Sequence, residues 1–174
     1  MSNRPRHPIY PAAHRTPPVS PIFVTEPLLA VLLELAADAD QRAANVSLVA
    51  TPAGELVART GAQTDREGPT TRSLAELAPV TPVFSDFYFP DVGRSLDFVF
   101  GVDLGTPAGQ TQGRFLSHPD GNPELTVRDD LHAIVLVATP PWEPDTVRAF
   151  DRDSTERQLV LVAAASPEQA FEDY

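Results

Sequence analysis

The most informative stretch of this chain is GRFLSHP, residues 113–119, which is followed after six residues by TVRD, residues 126–129. Side chains two positions apart on a strand point to the same face, so a residue at position 116 and His118 would face one way. Zinc accepts imidazole nitrogens and carboxylate oxygens, which makes His118 and Asp129 candidate ligands. Together they would supply half of a zinc site.

These residues resemble the JAMM signature of the MPN-domain isopeptidases, which reads His-Ser/Thr-His-Pro, a spacer, and Ser-x-x-Asp. Residues 117–119 and Asp129 match, and Thr126 stands in for the Ser that would steady an oxyanion. Leu116 stands where the first His is expected. The resemblance implies a zinc held by two His and one Asp, with a bound water whose pKa the metal lowers to roughly 7.

The resemblance also implies a Glu as general base, placed after the first long helix at the start of the next strand. That place falls near Ala44 and Asn45, where there is no acid. Glu55 would be recruited only with a shifted register. Because Leu116 and Asn45 both depart from the signature, the motif reads as vestigial and we expect no catalytic residue.

Two functions follow from the resemblance. The first is a catalytically degenerate binding or scaffold module, with a ubiquitin-like modifier, an intact homologue or a second copy as its partner. The alternative is a zinc-dependent JAMM-like isopeptidase or peptidase with a rearranged metal site. There, His118 and Asp129 would gain a third ligand from His132, Asp120 or another chain.

Plainer local roles exist for the same residues. His118 beside Pro119 suits a turn that the imidazole stabilises by hydrogen bonding. Thr126 has the form of a helix cap, with Asp129 at the third helical position. These roles need no metal, so no cofactor is expected, and zinc belongs only to the alternative function.

The composition limits the number of domains, the kinds of partner and the kind of organism that we expect. The chain has 174 residues and a net charge of -11, and all 13 of its basic residues are Arg. This length suits one domain, and the acidic balance disfavours nucleic acid as a partner. An acidic surface without Lys is similar to proteins of salt-loving microbes, which points to a halophilic archaeon. Without Lys, the chain cannot accept a modifier through a side-chain isopeptide bond.

Cysteine is absent, so disulfides and thiolate metal sites are excluded. No run of eighteen apolar residues occurs, so we expect no membrane span. The sequence start has no hydrophobic signal core, and a cytoplasmic location is the expectation.

The fold class predicted is α/β. The resemblance implies a single MPN-like, cytidine-deaminase-like domain over residues 21–165, with a mixed, curved sheet flanked by helices. A Pro-rich arm precedes it at residues 1–20, a polar insertion lies near 59–80, and an acidic tail occupies 166–174.

Local patterns predict the individual elements. Thr25 caps a helix whose buried stripe is Leu28, Val31, Leu32 and Leu35. Two short strands, 46–50 and 55–58, form a hairpin around a turn at 52–54. Further strands are predicted at residues 21–24, 83–89, 95–100, 113–117, 132–138, 147–151 and 158–162, with a helix or loop at 104–112.

Overall fold

A computed structural model describes residues 20–39, 41–59, 69–88, 111–125 and 134–165. The predicted strand at 95–100, most of the segment 104–112 and the tail at 166–174 lie outside these ranges. So do Thr126, Asp129 and His132. Within the described ranges, no helix has the length and apolar character to cross a membrane.

The described chain contains one α-helix and ten strands. The helix, α1, spans Glu26–Asp38. The strands are β1 Ile22–Thr25, β2 Asn45–Pro52, β3 Val57–Ala58, β4 Thr70–Ser73, β5 Pro82–Tyr88, β6 Thr111–Ser117, β7 Ile134–Ala138, β8 Val147–Asp151, β9 Glu156–Arg157 and β10 Leu159–Ala165. Short 3-10 turns span Ala53–Glu55, Leu74–Glu76 and Pro144–Thr146.

All ten strands belong to one mixed sheet, which confirms the predicted α/β class. The strand order is β3-β10-β1-β5-β2-β6-β7-β8-β9, and β4 also pairs with β10. β1 runs parallel to β10 and β5, and β6 runs parallel to β7, whereas β2 is antiparallel to both of its neighbours. The strand that carries the motif, β6, therefore lies inside the sheet, where both of its edges are paired.

The sheet is curled, as the chain connection between its two ends shows. β9 is the last strand in the order and β10 the second, yet a single residue, Gln158, joins them in the chain. The Gln158 carbonyl accepts a hydrogen bond from the Ile22 N–H at the start of β1, at 2.8 Å. The β9 end of the sheet therefore curves round toward β1 and β10.

Helix α1 packs on one face of this sheet, but its buried stripe differs from the prediction. Its buried residues are Leu28, Leu29, Leu32, Leu33 and Ala36. Val31 is 39% exposed, and Leu35 is only partly buried. At 100° per residue the buried set spans an arc of about 140°, and Val31 lies outside it.

Thr25 precedes α1 as predicted, but its side chain makes no capping hydrogen bond. Thr25 is also the last residue of β1, it is completely buried, and its Oγ1 has no hydrogen-bond partner. Its side chain is held in the interior by the strand, so it does not turn back toward the helix N–H groups. Thr25 is therefore the N-cap residue, as predicted, but the predicted capping hydrogen bond from its side chain is absent.

The predicted hairpin between residues 46–50 and 55–58 is wrong. β2 pairs with β5 and β6, whereas β3 pairs with β10 at the far edge of the sheet. The 3-10 turn between them is held by the N–H groups of Ala53 and Gly54, which donate to the carbonyls of Thr81 and Pro79 at 2.9 Å each. Leu56 then enters a core cluster, and this carries the chain away from β2.

Candidate functional site

The candidate site lies at the end of β6, between β2 and β7. Leu116 stands opposite Asn45 of β2 and Val137 of β7. Residues that face each other across paired strands share one side of the sheet. Asn45, Leu116 and Val137 therefore form a row on one side, which we call the motif face, and α1 covers the opposite side.

The structure brings the predicted base position beside the motif strand. Ala44 and Ser117 are joined twice: the Ser117 N–H donates to the Ala44 carbonyl at 3.0 Å, and the Ala44 N–H donates to Ser117 Oγ at 2.7 Å. Ser117 is completely buried. Its hydroxyl accepts a backbone hydrogen bond and continues the β2–β6 pairing one step beyond the strand. The two hydrogen bonds of Ser117 thus connect the start of β2 to the end of β6.

Glu55, the other candidate base, lies at the opposite end of β2. It belongs to the 3-10 turn that follows Pro52, and its side chain is exposed. The seven residue steps from Asn45 to Pro52 correspond to about 24 Å along a strand. Glu55 therefore cannot act on a group held at Leu116 or His118.

His118 belongs to a tight local turn, as its sequence context predicted. Its N–H donates to the Ala138 carbonyl at 2.8 Å, and its carbonyl accepts from the Gly121 N–H at 3.0 Å. Its Nδ1 lies 2.8 Å from the carbonyl oxygen of Asn122. A carbonyl can only accept, so Nδ1 carries a proton and donates it to the Asn122 carbonyl.

Asp120 serves the same turn. Its Oδ1 accepts a hydrogen bond from the Asn122 N–H at 3.1 Å, and Asn122 in turn accepts from the Glu124 N–H at 3.0 Å. This is the behaviour expected of Asp and Asn in consecutive side-chain turns. Gly121 has a positive φ of 79°, a conformation that favours glycine. The carboxylate of Asp120 is thus used to shape the loop.

Leu116 is the core of an apolar cluster on the motif face. It is only 7% exposed and packs with Val135 and Val137, and Leu125 and Phe150 complete the cluster from outside. Burying a Leu side chain in this way is worth about 2 kcal/mol. The place where a first zinc ligand would stand is therefore filled with hydrocarbon.

The surroundings of Leu116 supply no zinc ligand. A zinc site needs a second shell of polar groups that orient the ligands, and the Leu116 cluster provides none. Across the part of the chain that the structure describes, no three His, Asp or Glu side chains come together as a metal-binding group. Asp129 and Thr126 lie outside that part, so their assignment stays a prediction.

A hydrogen-bond network around Asp151, which the sequence patterns did not predict, stabilises the turn between β8 and β9. Asp151 Oδ1 accepts from the N–H groups of Asp153 and Thr155 at 2.9 and 3.0 Å, and Oδ2 accepts from Arg157 Nη1 at 3.0 Å. The Thr155 N–H, above all, holds the pKa of Asp151 below its ordinary value, with the Arg157 guanidinium acting in the same direction. The sequence signal was Asp151 at the start of the polar run 151–157.

Beside this turn lies a groove of about 550 Å³, which we call the β8–β9 groove. It is lined by Pro123, Glu124, Leu125, Arg148, Phe150, Ser154 and Glu156. Arg148 stands opposite Val137, and Phe150 stands opposite Val135 and Glu156. The groove therefore belongs to the motif face and continues outward from the Leu116 cluster.

The chain thus combines a single mixed sheet, helix α1 on one face and a His-Pro turn at the end of β6. The chain belongs to the halobacterial JAB/MPN domain protein family, whose profile matches residues 21–171. No curated protein matches the chain.

Two solved structures resemble it. One is titled "JAMM: a metalloprotease-like zinc site in the proteasome and signalosome", and the other is a JAB1/MPN domain protein from Archaeoglobus fulgidus. Each is 14% identical with a TM-score of 0.49, and each alignment covers 82% of this chain and 99% of the other.

Proposed function

We propose that this protein is a non-catalytic MPN-domain module that binds another protein and does not hydrolyse it. The single observation that carries the proposal is the burial of Leu116 among Val135, Val137, Leu125 and Phe150. A hydrolytic centre of the JAMM type needs a metal ligand at this position. Here the side chain stabilises the fold, and the space beside it is closed by apolar groups.

The start of β2 supports the same conclusion. A general base must come within hydrogen-bond reach of the water that it deprotonates. Asn45 lies directly opposite Leu116, and the neighbouring Ala44 has no functional group. An amide side chain does not take up a proton at neutral pH. The described residues at this place therefore lack both a first ligand and a base.

The alternative, a zinc-dependent isopeptidase or peptidase, has one supporting observation. The Asn122 carbonyl holds Nδ1 of His118, which is how a metal-binding imidazole is often oriented. That arrangement supplies one ligand. It would still need Asp129 and a third group.

Hydrolysis assays separate the two functions. Wild type, His118→Ala and the double variant Leu116→His with Asn45→Glu would be incubated with zinc and with peptide and isopeptide-linked substrates. The proposal predicts equal background rates for wild type and His118→Ala. A wild-type rate about tenfold or more above that of His118→Ala would support the hydrolase. The double variant shows whether the lost signature alone prevents activity.

For the partner, we propose a protein, with a second copy of this chain as the first to test and a ubiquitin-like modifier as the next. Light scattering over a range of concentrations gives the mass directly. A mass near twice the chain's 18.8 kDa identifies a homodimer. A constant monomer mass overturns the homodimer and directs the binding assay to the modifier.

A further inference from the structure

The β8–β9 groove combines apolar and acidic character. Leu125 and Phe150 are partly buried and supply its hydrocarbon floor, while Glu124 and Glu156 are exposed at its edge. Arg148 Nη1 lies 2.6 Å from Glu156 Oε1, so one acid is already matched by a cation. Glu124 adds a further negative charge. The groove thus suits a segment that carries both apolar side chains and positive charge.

Residues 1–19 of this chain have that composition. They contain three of the 13 Arg, at positions 4, 6 and 15, and no acid, while all 24 acids lie in the rest of the chain. The remaining ten Arg are therefore outnumbered more than two to one. The segment also carries Ile9, Tyr10 and Val19 as apolar side chains. Its charge is opposite to that of the domain that follows it.

The point where this segment joins the described chain lies beside the groove. The Arg157 guanidinium donates from Nη2 to the carbonyl of Ser20. Arg157 directly follows Glu156 in the two-residue strand β9, and Asp151 holds the same guanidinium through Nη1. Ser20 is therefore anchored at the β9 edge of the sheet.

Ser20 and the groove are connected through neighbouring residues of β9. Alternation on β9 places Arg157 with Ala149 on the α1 side and Glu156 with Phe150 on the motif face. A segment leaving Ser20 has to pass only the β9 edge to reach the groove. Pro-rich segments extend by about 3.1 Å per residue, so six residues reach about 19 Å.

We propose that residues 1–19 bind the β8–β9 groove of their own chain. Arginines of the segment meet Glu124 and Glu156, and its apolar side chains contact Leu125 and Phe150. Because the segment is linked covalently, its effective concentration at the groove is high, in the millimolar range for a short linker. A basic, apolar peptide from a partner must displace the segment to bind the groove. The segment therefore competes with such peptides for the motif face.

Distances between two spin labels test this in the full chain, which has no native cysteine to remove. Labels would be attached at Ala12→Cys in the segment and at Thr155→Cys, which adjoins the groove without lining it. The proposal predicts a narrow, short-distance population. Glu124→Arg with Glu156→Arg should abolish it, whereas the matched pair Glu34→Arg with Glu55→Arg, two exposed acids outside the groove lining, should retain it.

Two results would overturn the proposal. One is a broad distribution in the doubly labelled parent that neither charge-reversed pair changes. The other is a short-distance population that disappears when labelled protein is diluted with unlabelled protein, because the segment then binds a second copy. Circular dichroism on each variant confirms that the domain is folded. The result does not depend on whether the motif face is catalytic, since no step of the test involves hydrolysis.

Discussion

The side chains of consecutive β6 residues point to two faces of the sheet, and the two faces differ in how these side chains are packed. Phe115 and Ser117 point toward α1, where Phe115 is completely buried in the main core and Ser117 binds Ala44. Leu116 points to the motif face and its small cluster, and His118 follows in a turn. On the α1 face, packing requires these residues. On the motif face, Leu116 packs in a smaller apolar cluster at the position where the JAMM signature has its first His.

Under the proposed function, this contrast shows how an MPN domain can keep its fold when the motif face is apolar. The α1 face and the Ser117–Ala44 bonds hold β2, β6 and β7 in register. With Leu at position 116, the cluster on the motif face adds to stability. Under the proposed function, this face serves binding.

The largest effect is expected on the α1 face. Phe115→Ala removes a fully buried ring from the main core and leaves a cavity. We expect the free energy of unfolding to fall by about 3 to 5 kcal/mol, measured by urea denaturation. A loss below about 1 kcal/mol would show that the α1 face does not carry the fold.

The motif face should respond less to the same kind of truncation. Leu116→Ala removes a side chain from a smaller cluster that is partly covered from outside, so we expect a loss of about 2 to 3 kcal/mol. Leu116→His should destabilise to a similar extent, because the imidazole is buried without a polar partner. If zinc restores the stability of Leu116→His, the motif face still forms a metal site and the contrast between the faces fails.

Variants of Ser117 and His118 compare the buried hydrogen bond to Ala44 with the exposed hydrogen bond in the turn. Ser117→Ala leaves the Ala44 N–H without its acceptor, with an expected loss of about 1 to 2 kcal/mol. His118→Ala removes the exposed bond to the Asn122 carbonyl, and a loss of about 0.5 kcal/mol is expected. Denaturation of the two variants side by side measures both. The reverse order would mean that the turn, and not Ser117, fixes the end of β6.

The smallest effect concerns the turn between β8 and β9 at the outer edge of the sheet, and it depends on pH. The pKa of folded Asp151 lies below its ordinary value of 3.8. Its contribution to stability is therefore present above about pH 4 and is lost as the pH falls through the folded pKa. Asp151→Asn should lower the melting temperature at pH 7, and the difference from wild type should shrink toward pH 3. An unchanged difference between pH 7 and pH 3 would contradict this assignment.

Sequence patterns predicted the sheet well where short strands are apolar and bounded by turns. β1, β5, β6, β7 and β8 all fall within one or two residues of the predicted segments, and β10 extends three residues past its predicted end. Local patterns could not reveal pairing, which is set by distant residues. The 46–58 hairpin failed because Ala53 and Gly54 bond to Thr81 and Pro79, some 25 residues later.

At the candidate site, too, local sequence could be interpreted, but contacts between distant residues could not be predicted. The resemblance pointed to residues 44–45 as the place of a general base, and the structure pairs Asn45 with Leu116, which the sequence patterns did not predict. The sequence showed that a ligand was missing at 116, but it could not show what surrounds Leu116. Phe150 and Leu125 come from other parts of the chain, and only the fold brings them there. For the same reason, no pattern predicted the groove lined jointly by 123–125 and 148–156.

Zinc content tests the central claim most directly. The purified wild-type chain and His118→Ala, both prepared at high salt without chelator, would be analysed for zinc by elemental analysis. A motif face closed by Leu116 predicts folded wild-type protein with no more zinc than the variant. About one zinc per wild-type chain, lost in His118→Ala, would contradict the account and identify the protein as a metal-dependent hydrolase candidate.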